Sequence, residues 1–507
     1  MGGQCCLTGT SLHGVEAIPV TVEVTVGPGI PGMSIVGMAD TAVQEAKERV
    51  RAAIKSSGFA MPAEKIVVNL APGDLRKTGP GFDLPIALGI LCATGQLPRE
   101  VLRNRVFSGE LSLDGSVREV AGSLAYCICA SRMGFGYVGA SRQRVPIDGM
   151  EQLEIRRIGD LRAEGGVREL PAGGDGAWRE SGRRTPDYAD VCGHEAAKRA
   201  LQVAAAGSHC LLMVGPPGSG KTMLASRLPG ILPPLSDEER LEAAAVHSVA
   251  GEDVGDVLAG VRPFRSPHHS STAAGLLGGG SPARPGEVSL AHRGVLFLDE
   301  LAEFKPSVLQ GLRQPVEEGF VGLTRAAGQV RMPSSFMLVA ATNPCPCGHY
   351  GDPERECTCP SGAVRRYQGR IGGPLVDRFR MQLDVHRIPS SDVLSKGGGT
   401  DSATLRAGVM AAREFASWRR ARGRVSAQVP DGDDASPSAL VEACLMDDDA
   451  RRFAVAMAEG KGLSGRALVG SLKVARTIAD MEERDNVACE HLAEAFGCRL
   501  SEGIGAA

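Results

Sequence analysis

The chain has 507 residues, 43% hydrophobic and 23% charged. That is the composition of a soluble globular protein too long for one core, so two to four domains are expected. A net charge of −3 excludes attraction to nucleic acid by overall charge, so any such contact needs local basic stretches or an internal channel.

No apolar run approaches the roughly 18–20 residues of a membrane span, and no signal peptide opens the chain. A cytoplasmic protein without membrane contact is expected. Its 14 cysteines then read as reduced thiols, with metal binding the first reading of any tight cluster.

Residues 1–165 mix β-rich runs ("IPVTVEVTV", "KIVVNL") with helical ones. Alternation of Ile18, Val20, Val22, Val24 and Val26 predicts a half-buried strand, and Val43, Ala46, Val50 and Ala53/Ile54 make one helical stripe. Residues 166–186 are Gly/Arg/Pro-rich and read as a linker. Residues 187–395 follow a strand–loop–helix pattern with long insertions. Residues 396–507 read as helical, with Gly/Asp/Pro-rich gaps at 429–437 and 459–465.

"LLMVGPPGSGKTMLASRL" is an apolar strand, then Gly215, Pro216, Pro217, Gly218, Ser219, Gly220, Lys221 and Thr222, then a helix. This G-x-x-x-x-G-K-T spacing is a P-loop, which predicts ATP with Mg²⁺. Glycines let backbone N–H groups curl around phosphates, Lys221 reaches the β- and γ-phosphates, and Thr222 offers a hydroxyl to Mg²⁺. "GVLFLDE" supplies a second strand ending in acid: Asp299 for the Mg²⁺ shell and Glu300 to polarise the attacking water. A third strand, "SFMLVAATN", ends in Asn343, an amide that could orient that water. Candidate transition-state cations are Arg378, Arg380 and Arg466, the last at a helix start with Ser464 as N-cap.

Two C-x-C pairs, Cys345/Cys347 and Cys357/Cys359, are separated by a turn-rich stretch containing His349, a spare ligand. Tetrahedral zinc is one reading; redox-labile thiols and a disulfide are the others. The cluster reads as architecture rather than catalysis. Arg365, Arg366 and Arg370, with Tyr367, could meet a phosphate backbone or form a plain basic loop. His268 and His269 read as a poor metal pair, because adjacent imidazoles point apart on most backbones. "EFASWRRARGR" reads as a helix with a basic, solvated end.

Together the motifs resemble the magnesium-chelatase-like AAA+ ATPases of the YifB/ComM type, the competence-associated bacterial proteins. The likeness runs through "GIPGMSIVGMADTAVQEAKERVRAAIKSSGF", the P-loop segment, "RPFRSPHHSSTAAGLLGGG", "NPCPCGHYGD" and "LSGRALVGSLKVARTIADM", nearly the whole chain. It implies an α/β fold: a P-loop AAA+ module (187–395, with a Cys-rich insertion at 344–362) and a helical lid (396–507). Before them it places an α+β Lon-protease-like (ribosomal S5-like) domain. That domain lacks the Ser–Lys dyad of Lon-type proteases: Gly81 stands at the nucleophile, Leu124 or a near neighbour stands where the lysine would, and no lysine occurs between Lys77 and Lys198.

The resemblance further implies a homo-hexameric ring with ATP between subunits, Arg378 acting on a neighbour's γ-phosphate, and Asn343 and Arg466 as sensors 1 and 2. It implies a helicase driving branch migration in homologous recombination or natural transformation, on branched or single-stranded DNA, alongside recombination proteins. Two departures stand out. Arg380 occupies a position where the family usually has an acid, leaving Arg378 or Arg380 as the finger, and His194 replaces a usual Gln. The rival readings are a metal-chelatase-like motor subunit and a protein-remodelling machine acting on a protein partner.

Overall fold

The computed structural model describes residues 3–140, 144–162, 166–170, 186–280, 283–325, 328–388, 399–422 and 437–500. Most of the expected linker (171–185) and nearly all of the expected gap at 429–437 lie outside them.

The amino-terminal unit is built on strands β1 (Gly3–His13), β2 (Glu16–Gly27), β3 (Gly32–Val36), β4 (Lys65–Ala71), β5 (Arg105–Phe107), β6 (Gly136–Gly139), β7 (Gln152–Glu154) and β8 (Arg168–Glu169). They form one sheet in the order β8-β7-β6-β5-β1-β2-β4-β3. β2 shows why alternation works: Val20, Val22 and Val24 are fully buried while Thr21 and Glu23 face outward. Helix α1 (Thr41–Ser56) starts where the Asp40 side chain accepts a hydrogen bond from Val43 N at 2.9 Å, and its buried stripe is Val43, Ala46, Val50, Ala53 and Ile54. Helix α2 (Asp83–Ala93) is apolar all round and buried almost throughout, the core of the unit. The sheet runs on to Glu169.

Helix α3 (Ser123–Arg132) of this unit rests on α6 (Asp237–Ala250) of the following one. Gly122 N donates to Ser248 O at 2.9 Å and Leu124 N to Ser248 Oγ at 3.3 Å. Leu124, Tyr126 and Cys127 pack with Ala243, Ala244, Val257 and Leu258. α6 begins with a capping box, Ser236 and Glu239 each bonding the other's backbone N–H.

The second unit has α4 (Glu195–Gly207), β9 (Leu211–Val214), α5 (Lys221–Ser226), α6, β10 (Phe264–Arg265), β11 (Val295–Leu298), α7 (Arg313–Glu318), a hairpin β12 (Phe320–Arg325) and β13 (Gly328–Pro333), β14 (Met337–Thr342), α8 (Ser361–Gly369) and β15 (Met381–Asp384). A parallel five-stranded sheet runs β10-β11-β14-β9-β15. Strands β9, β11 and β14 are buried at every residue, as expected for a parallel sheet covered on both faces. Register pairs Val214 with Thr342 and Leu298 with Ala340, so the carboxyl ends of three adjacent strands emerge side by side, where open α/β sheets bind ligands.

Helices α9 (Ser402–Ala421), α10 (Pro437–Cys444), α11 (Asp448–Gly460), α12 (Gly465–Met481) and α13 (Cys489–Gly497) complete the described chain. Ser464 caps α12 by accepting from Ala467 N, and Leu472, Ala475 and Ile478 are buried against the core that includes α4. Among the described residues no helix is long and apolar enough to cross a membrane.

Candidate nucleotide site

β9 ends at Val214, and the next residues turn back under the strand tips. Gly218 (φ 78°) and Gly220 (φ 84°) take left-handed backbone that a side chain would strain. The Lys221 ammonium is buried, donating to Gly215 O at 2.8 Å and Pro216 O at 2.9 Å, with Asn343 Oδ1 at 3.5 Å. Burial pushes it below the usual lysine range while the Asp299 charge pulls the other way. Thr222 Oγ1 donates to Asp299 Oδ2 at 2.6 Å, and Asp299 Oδ1 accepts from Glu300 N at 2.9 Å.

A hydroxyl and a carboxylate in contact beside a phosphate cradle are hard oxygen donors of the kind Mg²⁺ takes, so these residues fit the ion. Thr222 and Asp299 would hold it, and it would supply positive charge to offset the charge that develops during phosphoryl transfer. Glu300 has φ 52°, unusual for a residue with a side chain, at the position where a water-polarising carboxylate is expected.

Two histidines join the site that sequence reasoning did not place there. The His194 ring lies against Gly220; burial first, then the Lys198 charge, hold it below the usual histidine range. Its only sequence signal was its replacement of Gln. His269 Nδ1 lies 3.0 Å from Glu300 Oε2. The expectation that the His268 and His269 rings point apart is corrected: their centroids are 4.1 Å apart. The loop bends so that both rings lie over the same region, His268 being fixed by a 2.8 Å bond between its Nδ1 and Ser270 Oγ.

Arg378 and Arg466 converge elsewhere. Both pair with Glu317 on α7, Arg378 while buried, Arg466 Nη2 at 4.0 Å and half exposed. Arg380 lies by α12, where a Cβ on Gly470 would meet its side chain, and its charge helps keep buried His209 neutral after burial itself. The suggested basic patch is corrected in part. Tyr367 is buried in the core and so cannot stack on a base, and Arg370 pairs with Glu303 at 3.5 Å. Arg365 and Arg366 stay on the exposed face of α8.

The turn-rich stretch between the cysteine pairs brings four sulfurs together: Cys345–Cys347 3.4 Å, Cys347–Cys357 3.6 Å, Cys345–Cys357 3.7 Å, with Cys359 in the same cluster. Tetrahedral thiolates at zinc bond length stand about 3.8 Å apart, so the set fits a metal ion. The His349 backbone N–H, the largest influence, holds the Cys347 thiol down to about 5. His349 itself is turned to Asp352 at 2.9 Å. The cluster leans on the P-loop: a Cβ on Gly348 would run into the Pro217 ring, while Arg387 Nη2 bonds Pro217 O at 3.1 Å.

Residues 187–393 match the family described as magnesium chelatase, subunit ChlI; residues 22–140 match subunit ChlI of Mg-chelatase; and residues 399–499 match the ChlI carboxy-terminal family. The YifB protein of Salmonella typhimurium is 42% identical over 501 residues, 97% of this chain and 96% of its own. Competence protein ComM of Haemophilus influenzae is 40% identical over 503 residues, 96% of this chain and 95% of its own.

The chain belongs to the YifB/ComM family of magnesium-chelatase-like proteins. The parallel sheet with its P-loop is this family's AAA+-like module, and the family implies ATP and Mg²⁺ as cofactors.

Proposed function

We propose that this YifB/ComM-family chain is a cytoplasmic ATP hydrolase that assembles into a homo-hexameric ring and moves DNA, promoting branch migration in recombination or natural transformation. The observation that carries the hydrolase reading is the contact of Thr222 with Asp299 at 2.6 Å beside buried Lys221. Lys221 would turn from the Gly215 and Pro216 carbonyls to the phosphates. Glu300 would accept a proton from the attacking water that Asn343 helps orient, Arg378 would complete a neighbour's site in trans, and Arg466 would serve as the sensor 2 cation from the lid. Their shared seat on Glu317 supports this, because it gathers two cations in one place. The DNA reading draws on the 40% identity to a competence protein.

In this reading the amino-terminal unit, a Lon-like scaffold without a catalytic dyad, runs past the expected boundary at 165 to the strand ending at Glu169, the linker follows it to 186, 187–395 is the ATPase module and 396–507 a helical lid. The four cysteines would hold one structural Zn²⁺.

A labelled four-stranded junction tests the motor. With ATP the protein should resolve it; with Lys221→Ala it should not; with a non-hydrolysable analogue it should bind without moving it. Binding should weaken steeply with salt and show little base preference. A ring that hydrolyses ATP yet leaves every forked or branched substrate unmoved would instead favour a motor acting on a protein partner.

A further inference from the structure

The four sulfurs of the Cys-rich insertion stand close enough to bond to one another as well as to hold a metal. Cys345 lies 3.4 Å from Cys347 and 3.7 Å from Cys357, Cys347 lies 3.6 Å from Cys357, and all four sulfurs fall within 4.8 Å of one another. Cys345 is fully buried, while Cys347, Cys357 and Cys359 are half-buried and reach the surface. We propose that this cluster is a site of reversible oxidative modification. A hydroperoxide joins the four sulfurs in two disulfides, and the change loosens the hold of the P-loop on nucleotide. The proposal rests on the nucleotide reading of the P-loop and goes beyond the reading of the cysteines as a structural zinc site.

The chemistry closes on two electrons per disulfide. A deprotonated sulfur attacks one oxygen of hydrogen peroxide; the S–O bond forms, the O–O bond breaks and hydroxide leaves. A second sulfur then attacks the first; the S–S bond forms, the S–O bond breaks and a second hydroxide leaves. Two thiolates, one peroxide and two protons thus give one disulfide and two waters, and two peroxides oxidise the whole cluster. A disulfide sulfur is no longer the anionic ligand that a metal needs, so an ion held by these residues is released.

The consequences reach the nucleotide site through packed backbone. An S–S bond is about 2.05 Å long, so sulfurs now 3.4–3.7 Å apart close by about 1.5 Å. Cys345 follows Asn343 by two residues, and the Pro344 carbonyl between them accepts from Gln368 Nε2 of α8 at 3.0 Å. Gly348, beside Cys347, donates its N–H to Cys345 O at 3.0 Å and lies so near the Pro217 ring that a Cβ on it would come within 2.5 Å. Cys359 leads through Pro360, the N-cap, into α8. Movement of the sulfurs therefore acts on Pro217, Asn343 and α8 together, through contacts that leave little slack.

The experiment treats full-length protein with hydrogen peroxide and follows three readouts. A chromogenic chelator reports released zinc, mass spectrometry of unreduced peptides locates the disulfides, and a fluorescent ATP analogue reports affinity. The expected result is disulfides among Cys345, Cys347, Cys357 and Cys359 and an affinity about five- to twentyfold weaker, the range of ordinary coupling between two sites. A dithiol reductant with zinc should restore it. By linkage the same factor should appear in reverse: saturating nucleotide should lower the disulfide fraction in a fixed thiol–disulfide buffer. Cys192, half-buried and two residues before His194, is the rival target, and Cys192→Ser protein should respond to peroxide as wild type does.

Disulfides that form with affinity unchanged would overturn the proposal. So would an affinity loss while the four cysteines stay reduced, or a response abolished by Cys192→Ser. Disulfides and weakened binding without any released zinc would support it while removing the zinc reading. If the reduced protein binds no analogue, the nucleotide reading of the P-loop fails, and this proposal with it.

Discussion

Lys221 is enclosed by two carbonyls, the Ser219 hydroxyl and the Asn343 amide oxygen, a seat beside the strand tips from which it can turn to a phosphate. Lys221→Ala should lower ATP affinity by about 10²-fold, the worth of a charge-assisted contact to phosphate, as read by titration with a fluorescent analogue. Glu300→Gln should leave that affinity near wild type and cut kcat by about 10²- to 10³-fold, as for removal of a general base. In the amino-terminal unit, Asp83 ends the segment "TGPGFD" and is fully buried. It accepts from Arg49 Nε at 2.6 Å and Nη2 at 2.9 Å and from Leu111 N at 3.1 Å. Burial pushes its carboxyl above the usual range and the Arg49 bond opposes that. Asp83→Ala should cost about 3 kcal/mol, measured by denaturant unfolding, because it strands the guanidinium of a buried pair.

Among the elements, the Cys-rich insertion and α3 have consequences for their neighbours. The insertion braces Pro217 from one side and Arg387 does so from the other. Elemental analysis should give about one zinc per chain. Chelation should lower thermal stability and also weaken nucleotide binding several-fold, whereas free thiols that react fully in the native protein would reject the site. Helix α3 buries Leu124 against α6. Leu124→Asp should cost about 3 kcal/mol by placing an unpaired charge in that seam, as measured by denaturant unfolding.

What the sequence made legible divides along the same line. The P-loop, the Asp299–Glu300 strand end, the N-cap at Ser464 and the valine alternation of β2 are patterns of fixed spacing, which local geometry turns directly into shape. The pairing of His269 with Glu300, the shared seat of Arg378 and Arg466 on Glu317, and the α3–α6 seam join residues far apart in sequence. Their positions follow only once the sheet order is known. Tyr367 shows the opposite error: among arginines it looks available, yet the helix turns it inward.

At the scale of the whole molecule, the nucleotide residues and the arginine pair occupy two clusters, one at Lys221–Asp299 and one at Glu317. Glu317→Gln should loosen the arginines and lower ring-dependent hydrolysis while leaving nucleotide affinity intact, as separate titration and turnover assays would show. The account's central claim is that one subunit's Lys221, Asp299 and Glu300 are completed by a neighbour's Arg378. Hydrolysis by mixed rings tests it most directly. Arg378→Ala and Glu300→Gln subunits, each nearly inactive alone, should together recover up to about a quarter of wild-type turnover, because random mixing places an intact Glu300 opposite an intact Arg378 at that fraction of interfaces. Mixtures no more active than the separate variants, or a dilute monomer hydrolysing ATP at the full rate, would contradict it.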